Sequence, residues 1–500
     1  MIKVNFIGID LGTSSIKVIL YDEKFRIIGA QTSSYDIIEP QNGWGEQNPS
    51  DWIDALNTVL LNLKDDYPNQ MKVVKSIGLT GQMHGLVMLD QNSKVLRNAI
   101  LWLDQRSSDE VVEITEKLGY DYIIKTTANP ISSGFTLAKL QWVRNNEKDL
   151  FDKCNKILLP KDYIRFYLTG DFATDVSDAS GMQMLNIKNR CWDKDLLEKM
   201  EIPYSLLPKV YESCKVTGYL KEDIALKYGF SAKVSIVAGA GDNAAAAIGC
   251  GVIEDGDAFT TIGTSGVVFA HTSNMVIDNQ GRYHTFCAAI PNEWHVMGVT
   301  QAAGLSLEWL KRNLYPNEDL EKVNKDVDEV EIGSNKLVYL PYLMGERSPH
   351  LDPYARGTLI GLTNTHSRKE ISRSIFEGVS FSLRDCLDAM RETANVNIKE
   401  MALTGGGSKS KILCQMISDN FKLDTYTLKE GSGTTLGAAI LASVGSRRYK
   451  DIKSAVNIAI KNDKKYMYNR GYHEEYSKYY DIYRSTYKSL KDVYKKLQEL

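Results

Sequence analysis

The chain has 500 residues, 43% of them hydrophobic, with 60 basic against 63 acidic residues and a formal net charge of −3. This apolar content excludes intrinsic disorder, and the balanced charge offers no field for a polyanion, so nucleic acid is not an expected partner. The seven cysteines are scattered, with no CxxC and no Cys/His cluster, which disfavours both a disulfide framework and a zinc site.

No apolar run reaches the ~18–20 residues of a membrane span. The start of the chain meets Asp10 before a signal-peptide core can form. The expectation is a cytoplasmic α/β protein of more than one domain.

In chain order, the strand run Val4–Ile9 leads into the polar turn Asp10-Leu11-Gly12-Thr13-Ser14-Ser15. Two further apolar runs follow, Ile16–Tyr21 and Phe25–Ala30, which predicts an antiparallel opening. A helix is predicted from Ser50 to about Leu63 and a strand over Val73–Leu79, after which helical and strand-like segments alternate to about residue 250. Near residue 258 the opening recurs: strand Ala258–Ile262, turn Gly263-Thr264-Ser265-Gly266, strand Val267–Ala270. Two Gly-Thr-Ser hairpins, each opening one half of the chain, predict a duplicated architecture. The glycines at 249, 251 and 256 mark the boundary, dividing the chain into 1–250, 251–445 and an extension over 446–500. In that extension Tyr476, Tyr480, Tyr483, Tyr487, Leu490, Tyr494 and Leu497 follow helical spacing, as expected of a terminal helix packed on the second domain.

Three glycine-rich turns could let backbone amides approach phosphates. They are Gly12-Thr13-Ser14, Gly263-Thr264-Ser265-Gly266, and Thr404-Gly405-Gly406-Gly407-Ser408-Lys409-Ser410, the last opening a predicted helix from about Lys411. Any one of them is compatible with a plain turn, and no GxxxxGK[ST] is present, so the site is not of the Walker type. Asp10 beside the first turn suits Mg²⁺. Asp242, in Val237-Ala238-Gly239-Ala240-Gly241-Asp242-Asn243, either caps the small-residue helix behind it or faces a ligand. The segment Gly81-Gln82-Met83-His84-Gly85 follows a strand, where loops commonly carry ligands. Trp102-Leu103-Asp104-Gln105-Arg106 offers either a stacking and hydrogen-bonding surface for a polyhydroxylated molecule or a buried Trp with an Asp–Arg pair at the surface.

Together Asp10–Ser14, Gly81–Gly85, Gly241–Asn243 and Gly263–Gly266 resemble the FGGY carbohydrate kinases. So do Gly134–Val143, Leu158–Tyr163, Asp175–Gly181 and Gly357–Leu362 with Glu370, Ser374 and Glu377, so that the resemblance runs from Ile7 to about Ala442. It implies two actin-like, ribonuclease-H-like domains with a deep cleft between them, and is compatible with a homodimer. It further implies transfer of the ATP γ-phosphate to a sugar hydroxyl, with the pentulose D-xylulose becoming D-xylulose 5-phosphate. On this resemblance Asp242 is the general base and Asp10 organises Mg²⁺ and phosphate. Met83, His84, Trp102, Asp104 and Asn243 line the sugar pocket. Gly12, Thr13, Ser14, Gly263, Thr264, Gly304, Gly405, Gly406 and Ser410 contact the nucleotide.

The family's usual Trp-Asn-Asp is here Trp102-Leu103-Asp104, and the turn before the last apolar helix reads Glu430-Gly431-Ser432-Gly433-Thr434-Thr435. A kinase for ribulose, gluconate or glycerol is the alternative within the class. A nucleotide-driven switch without a sugar substrate is the alternative outside it.

Overall fold

The three opening apolar runs form β1 (Asn5–Leu11), β2 (Ser15–Tyr21) and β3 (Ile27–Ser34), antiparallel neighbours in that order. The computed structural model describes residues 4–231, 233–394, 396–429 and 433–499, so Glu430–Ser432 of the last glycine turn lie outside the described residues. Helix α1 (Pro49–Asp66) opens on an Asn48 cap and buries Trp52, Leu56, Val59, Leu60 and Leu63, one apolar stripe at helical spacing. It leads to β4 (Val74–Gly81), which returns parallel to β1. Helix α2 (Thr136–Asn146) stands among the connections that follow. Strand β5 (Val216–Tyr219) pairs antiparallel with β6 (Ser235–Val237), which lies parallel to β4. The first sheet thus has the order β5-β6-β4-β1-β2-β3.

The second half repeats this plan. Strands β7 (Ala258–Ile262) and β8 (Gly266–Thr272) form the hairpin, followed by β9 (His284–Cys287), β10 (Trp294–Thr300), β11 (Glu400–Thr404), β12 (Asp424–Leu428) and β13 (Asn462–Tyr466). Their order is β9-β10-β8-β7-β11-β12-β13. The run β10-β8-β7-β11-β12 has the same directions as β3-β2-β1-β4-β6, and β13 flanks β12 antiparallel as β5 flanks β6. The predicted duplication is therefore one of topology: each half is a ribonuclease-H-like sheet.

Helices α3 (Asp242–Cys250) and α4 (Gly304–Leu314) start at the site ends of the two sheets. Helix α5 (Arg368–Thr393) runs through the second core, and α6 (Lys411–Phe421), α7 (Thr434–Gly445) and α8 (Arg470–Gln498) follow it in the chain.

Residues 434–460 depart from the expected partition. Helix α7 follows β12 in the chain but lies across β1 and β4 of the first sheet. A Cβ at Gly8 would stand 2.0 Å from the carbonyl oxygen of Thr435, and one at Gly78 1.9 Å from that of Ala438. Two strand glycines thus let a helix of the second half approach to backbone contact. Helix α7 also crosses α3 backbone to backbone, through Gly249 against Gly433 and Gly437 against Ala245. The short helix Ile452–Ala459 buries Ile452, Ala455 and Val456 in a cluster with Phe6, Ile19 and Phe25. Arg448 pairs with Glu23 at 2.6 Å.

Beyond this point the chain does turn to the second domain. Helix α8 buries Tyr476, Tyr480, Tyr483, Tyr487 and Tyr494 in its core, while Leu497 is exposed. The extension is accordingly shared between the two domains, because the apolar face of α7 is matched by the first sheet and the tyrosine face of α8 by α5 and its neighbours. Among the described residues no helix is long and apolar enough to cross a membrane.

Candidate active site

Strands β1 and β4 run parallel, with Asp10 opposite Thr80 and Leu11 opposite Gly81, so Asp10 and the segment Gln82–His84 emerge at the same sheet end. Strand β6 breaks at Ala238-Gly239 and resumes as Ala240–Gly241, paired with Thr80 and Gly81. The break needs glycine: Gly239 has φ +82° and a Cβ there would meet the Leu79 carbonyl oxygen at 2.1 Å. Asp242 follows at once, beside Asp10 and Met83.

Asp10 is the only partly exposed residue of β1. Its Oδ2 accepts a hydrogen bond from the Thr434 hydroxyl at the start of α7, at 2.5 Å, and burial raises its pKa. Among the described residues its Oδ1 has no hydrogen-bond partner, which leaves one carboxylate oxygen for a ligand. Among the described residues no group of three or more His, Cys, Asp or Glu side chains could hold a metal by themselves. One carboxylate oxygen beside phosphate turns fits Mg²⁺, which keeps most of its waters and shares phosphate oxygens.

Asp242 does not cap its helix: α3 has no side-chain cap, and Asp242 Oδ1 instead accepts from the Asn243 amide (2.6 Å) and side chain (2.9 Å). Burial, and then the charge of Asp10, push its pKa up to about 6 while Asn243 opposes the shift. A carboxylate so poised can take a proton from a hydroxyl near neutral pH. Acting as a base it must be ionised, so kcat/KM is expected to fall about tenfold per unit below about pH 6. A pH–rate profile flat between about pH 5 and 7 would remove Asp242 from that role.

The first turn is held from behind. Gly12 N donates to the Ser15 carbonyl (2.9 Å), Tyr35 donates to the Gly12 carbonyl (2.5 Å), and Gln47 Nε2 donates to the Thr13 carbonyl (2.6 Å). Gln47 Oε1 accepts from both Trp52 Nε1 and Gln82 Nε2, each at 3.0 Å. Among the described residues the Thr13 and Ser14 amides meet no protein acceptor, which leaves them free for an anion. Trp102 Nε1 donates to Thr13 Oγ1 at 3.0 Å, so the half-exposed indole and the first turn form one wall.

Met83 packs under Gly241, where a Cβ would lie 2.8 Å from its sulfur. His84, at φ +68°, directs Nδ1 to the Gly181 carbonyl at 3.1 Å. A carbonyl only accepts, so Nδ1 carries the hydrogen and Nε2 is left as an acceptor. Burial and the nearby Lys139 ammonium hold His84 well below its ordinary pKa, and the ring is neutral. Lys139 itself, on α2, donates to the His84 and Gly134 carbonyls at 2.9 and 2.7 Å, and Phe135 stacks on the His84 ring at 4.0 Å.

The second and third turns sit at the ends of the parallel neighbours β7 and β11, joined by a 2.7 Å hydrogen bond between Thr261 and Thr404. Gly405, at φ +82°, approaches the Ile262 carbonyl, and a Cβ at Gly406 would meet nothing within 4 Å: it borders open space.

Four residues singled out from the sequence are held by contacts within the protein. Asp104 is fully buried; its oxygens accept from the Gly45 amide (2.6 Å) and from Arg106 (2.7–3.0 Å), whose guanidinium lies 3.7 Å from the Trp44 ring centroid. It stiffens the Trp102 loop. Gly304 N donates to the Gly263 carbonyl at 2.7 Å, and a Cβ there would stand 2.3 Å from that oxygen, so Gly304 braces the second turn. Ser410 caps α6 and donates to Asn324 at 2.6 Å. Leu103 packs over Gly45 and against the first core. Residues not singled out from sequence also enter the site: Thr434, Gln47 and Lys139. Of these only Thr434, directly after a glycine turn and before an apolar helix, carries a local signal.

Two ribonuclease-H-like sheets that present phosphate-sized turns and a poised carboxylate at their adjoining ends define a phosphotransferase of the actin-like class. Comparison with known proteins gives the family. The signature described as "FGGY family of carbohydrate kinases, N-terminal domain" matches residues 5–249, and that of the C-terminal domain matches residues 258–446. The chain belongs to the FGGY family of carbohydrate kinases. It is 38% identical over 487 residues to a xylulose kinase of Bacillus subtilis, covering 97% of each chain. It superposes with a TM-score of 0.93 on a xyloylose kinase from Brucella ovis, at 34% identity over 98% of this chain and 100% of the other. A gluconate kinase from Lactobacillus acidophilus also superposes at 0.93, with 28% identity over 99% and 100%. Membership in a family of carbohydrate kinases sets aside the switch reading.

Proposed function

We propose that this protein phosphorylates D-xylulose at its 5-hydroxyl with ATP. The observation that carries the reading is Asp242 itself, a raised carboxylate standing between Asp10 with the phosphate turn on one side and Met83 with His84 on the other. The relatives named xylulose kinase extend along almost the whole chain, which supports this sugar over gluconate or glycerol.

A sugar hydroxyl is a weak nucleophile, and Asp242 takes its proton as the phosphoryl group transfers. The transfer needs mainly alignment and charge neutralisation, which the free amides of Thr13 and Ser14 and the turns at Gly263–Thr264 and Gly405–Gly406 supply. Mg²⁺, held by Asp10, would neutralise phosphate charge there. Asn243 fixes the Asp242 oxygen, and His84 Nε2 accepts from a sugar hydroxyl.

ADP release with Mg·ATP tests the reading across D-xylulose, D-ribulose, L-ribulose, L-xylulose, gluconate and glycerol. Preference for D-xylulose is expected, and preference for another compound would overturn the substrate while leaving the kinase. His84→Phe keeps the stack on Phe135 and removes the acceptor. The sugar KM should rise about 5- to 10-fold, as for one lost neutral hydrogen bond, with the ATP KM unchanged.

A further inference from the structure

Arg347 stands at the site end of the second sheet with its main chain fixed. Glu346 accepts from the Thr300 hydroxyl (2.6 Å) and the Gln301 amide (2.9 Å) at the end of β10. The Arg347 amide donates to the same carboxyl at 2.7 Å, and the Ser348 amide to the Val299 carbonyl at 2.9 Å. The side chain is held less completely. Its Nη2 lies 3.3 Å from His284 Nε2, and among the described residues it forms no ion pair.

The direction of that contact is determined. Asn129 Nδ2 donates to the Thr127 and Thr285 carbonyls, both at 2.8 Å, so its Oδ1 faces the Thr285 amide and His284 Nδ1. His284 therefore carries its hydrogen on Nδ1 and accepts from Arg347 on Nε2. Burial, and then the charge of Arg347, hold His284 neutral with a pKa of about 3. The guanidinium is thus oriented by one neutral acceptor and retains further N–H donors and its full charge. Such a group in a crowded site is costly unless something in the cleft accepts from it.

Its position follows from the ring contacts. Met83 separates the Asp242 turn from His84; His84 stacks on Phe135; Phe135 is 5.5 Å from His284. Arg347 lies at the end of this series, bonded to His284 and close enough for its charge to act on the His84 ring. A pentulose whose 5-hydroxyl reaches Asp242 extends its C1–C2 end towards His84. That end is a hydroxy-ketone: one oxygen that only accepts, and one hydroxyl that can donate. Arg347 only donates, and His84 Nε2 accepts, so the pair is complementary to it.

We infer that Arg347 is a specificity-determining residue that donates to the ketone oxygen of the sugar while His84 accepts from the neighbouring hydroxyl. The inference rests on the D-xylulose reading above and adds the second domain as reader of the carbonyl. It explains why the site would reject a polyol that presents a rotating hydroxyl where the ketone stood.

The test compares D-xylulose with the two pentitols formed by reducing its carbonyl, in the unaltered protein, Arg347→Gln and Arg347→Lys. Expected is a loss of about 10- to 100-fold in kcat/KM for D-xylulose in Arg347→Gln, with less than about 3-fold for the pentitols and an unchanged ATP KM, so that the ketose preference collapses. Arg347→Lys, which keeps the charge without the planar fork, should lie between, and it carries the same contrast should the Gln variant fail to fold. An equal loss on ketose and pentitols, no loss, or a raised ATP KM marking a phosphate contact would each overturn the inference. Failure of the unaltered protein to use D-xylulose would instead overturn the reading beneath it.

Discussion

Asp242→Asn is expected to lower kcat by at least about 10²–10⁴-fold, the usual contribution of a general base, with ATP binding close to unchanged. The substitution keeps an oxygen for the Asn243 amide, so the start of α3 should hold its shape. Its effect on stability should have the opposite sign. A buried carboxylate whose folded pKa is raised to about 6 binds protons more tightly folded than unfolded, so its ionisation opposes folding as pH rises through that range. Removing the charge should therefore raise the unfolding temperature at neutral pH. Activity lost with stability gained is what a site carboxylate gives. Loss of both would make Asp242 a structural residue, and retained turnover would assign the base elsewhere. Steady-state kinetics and thermal unfolding on one preparation read both signs.

Gly437→Ala should destabilise the protein by about 3 kcal/mol or more, near the top of the range for forced overpacking. In an exposed helix the same change stabilises by about 1 kcal/mol, since alanine is the better helix former. The sign reverses here because the new Cβ would stand 1.9 Å from the carbonyl oxygen of Ala245, and neither backbone can yield without moving its helix. Separating α7 from α3 also draws Thr434 away from Asp10, so turnover should fall with stability. Gly406→Ala is the matched control. With nothing within 4 Å of the added methyl, it should leave unfolding within about 0.5 kcal/mol and act only on the nucleotide KM. Denaturant unfolding of both variants decides the matter; a stable Gly437→Ala would show that the helix crossing relaxes freely.

Much of the site is legible along the chain because its parts are local. Gly12-Thr13-Ser14 and Gly263-Thr264-Ser265 sit between alternating apolar runs, and both form hairpins at sheet ends. Asp242 stands between a strand and a small-residue helix, and that is where it is found. The residues missed act across long separations. Thr434 reaches Asp10 over 424 positions, and Gln82 reaches Gln47 over 35. The setting of Asp104 is half hidden for the same reason: its pairing with Arg106 two residues on is readable, but the Gly45 amide that encloses it comes from a loop more than fifty residues earlier.

The class of reaction and the proposed base come from the family resemblance; strand periodicity, turn chemistry and the order of motifs, and with them the two-sheet plan, are written in the sequence. These depend on backbone preferences and side-chain alternation within a few residues, which any reader of the chain can count. The tertiary structure alone decided that α7 belongs on the first sheet, that the 446–500 segment is shared, and that His84 is neutral with Nε2 free. It also brought Arg347 against His284. Each of these is set by which backbones can approach and which charges are left without a partner once distant segments meet, and neither quantity exists until the chain has folded.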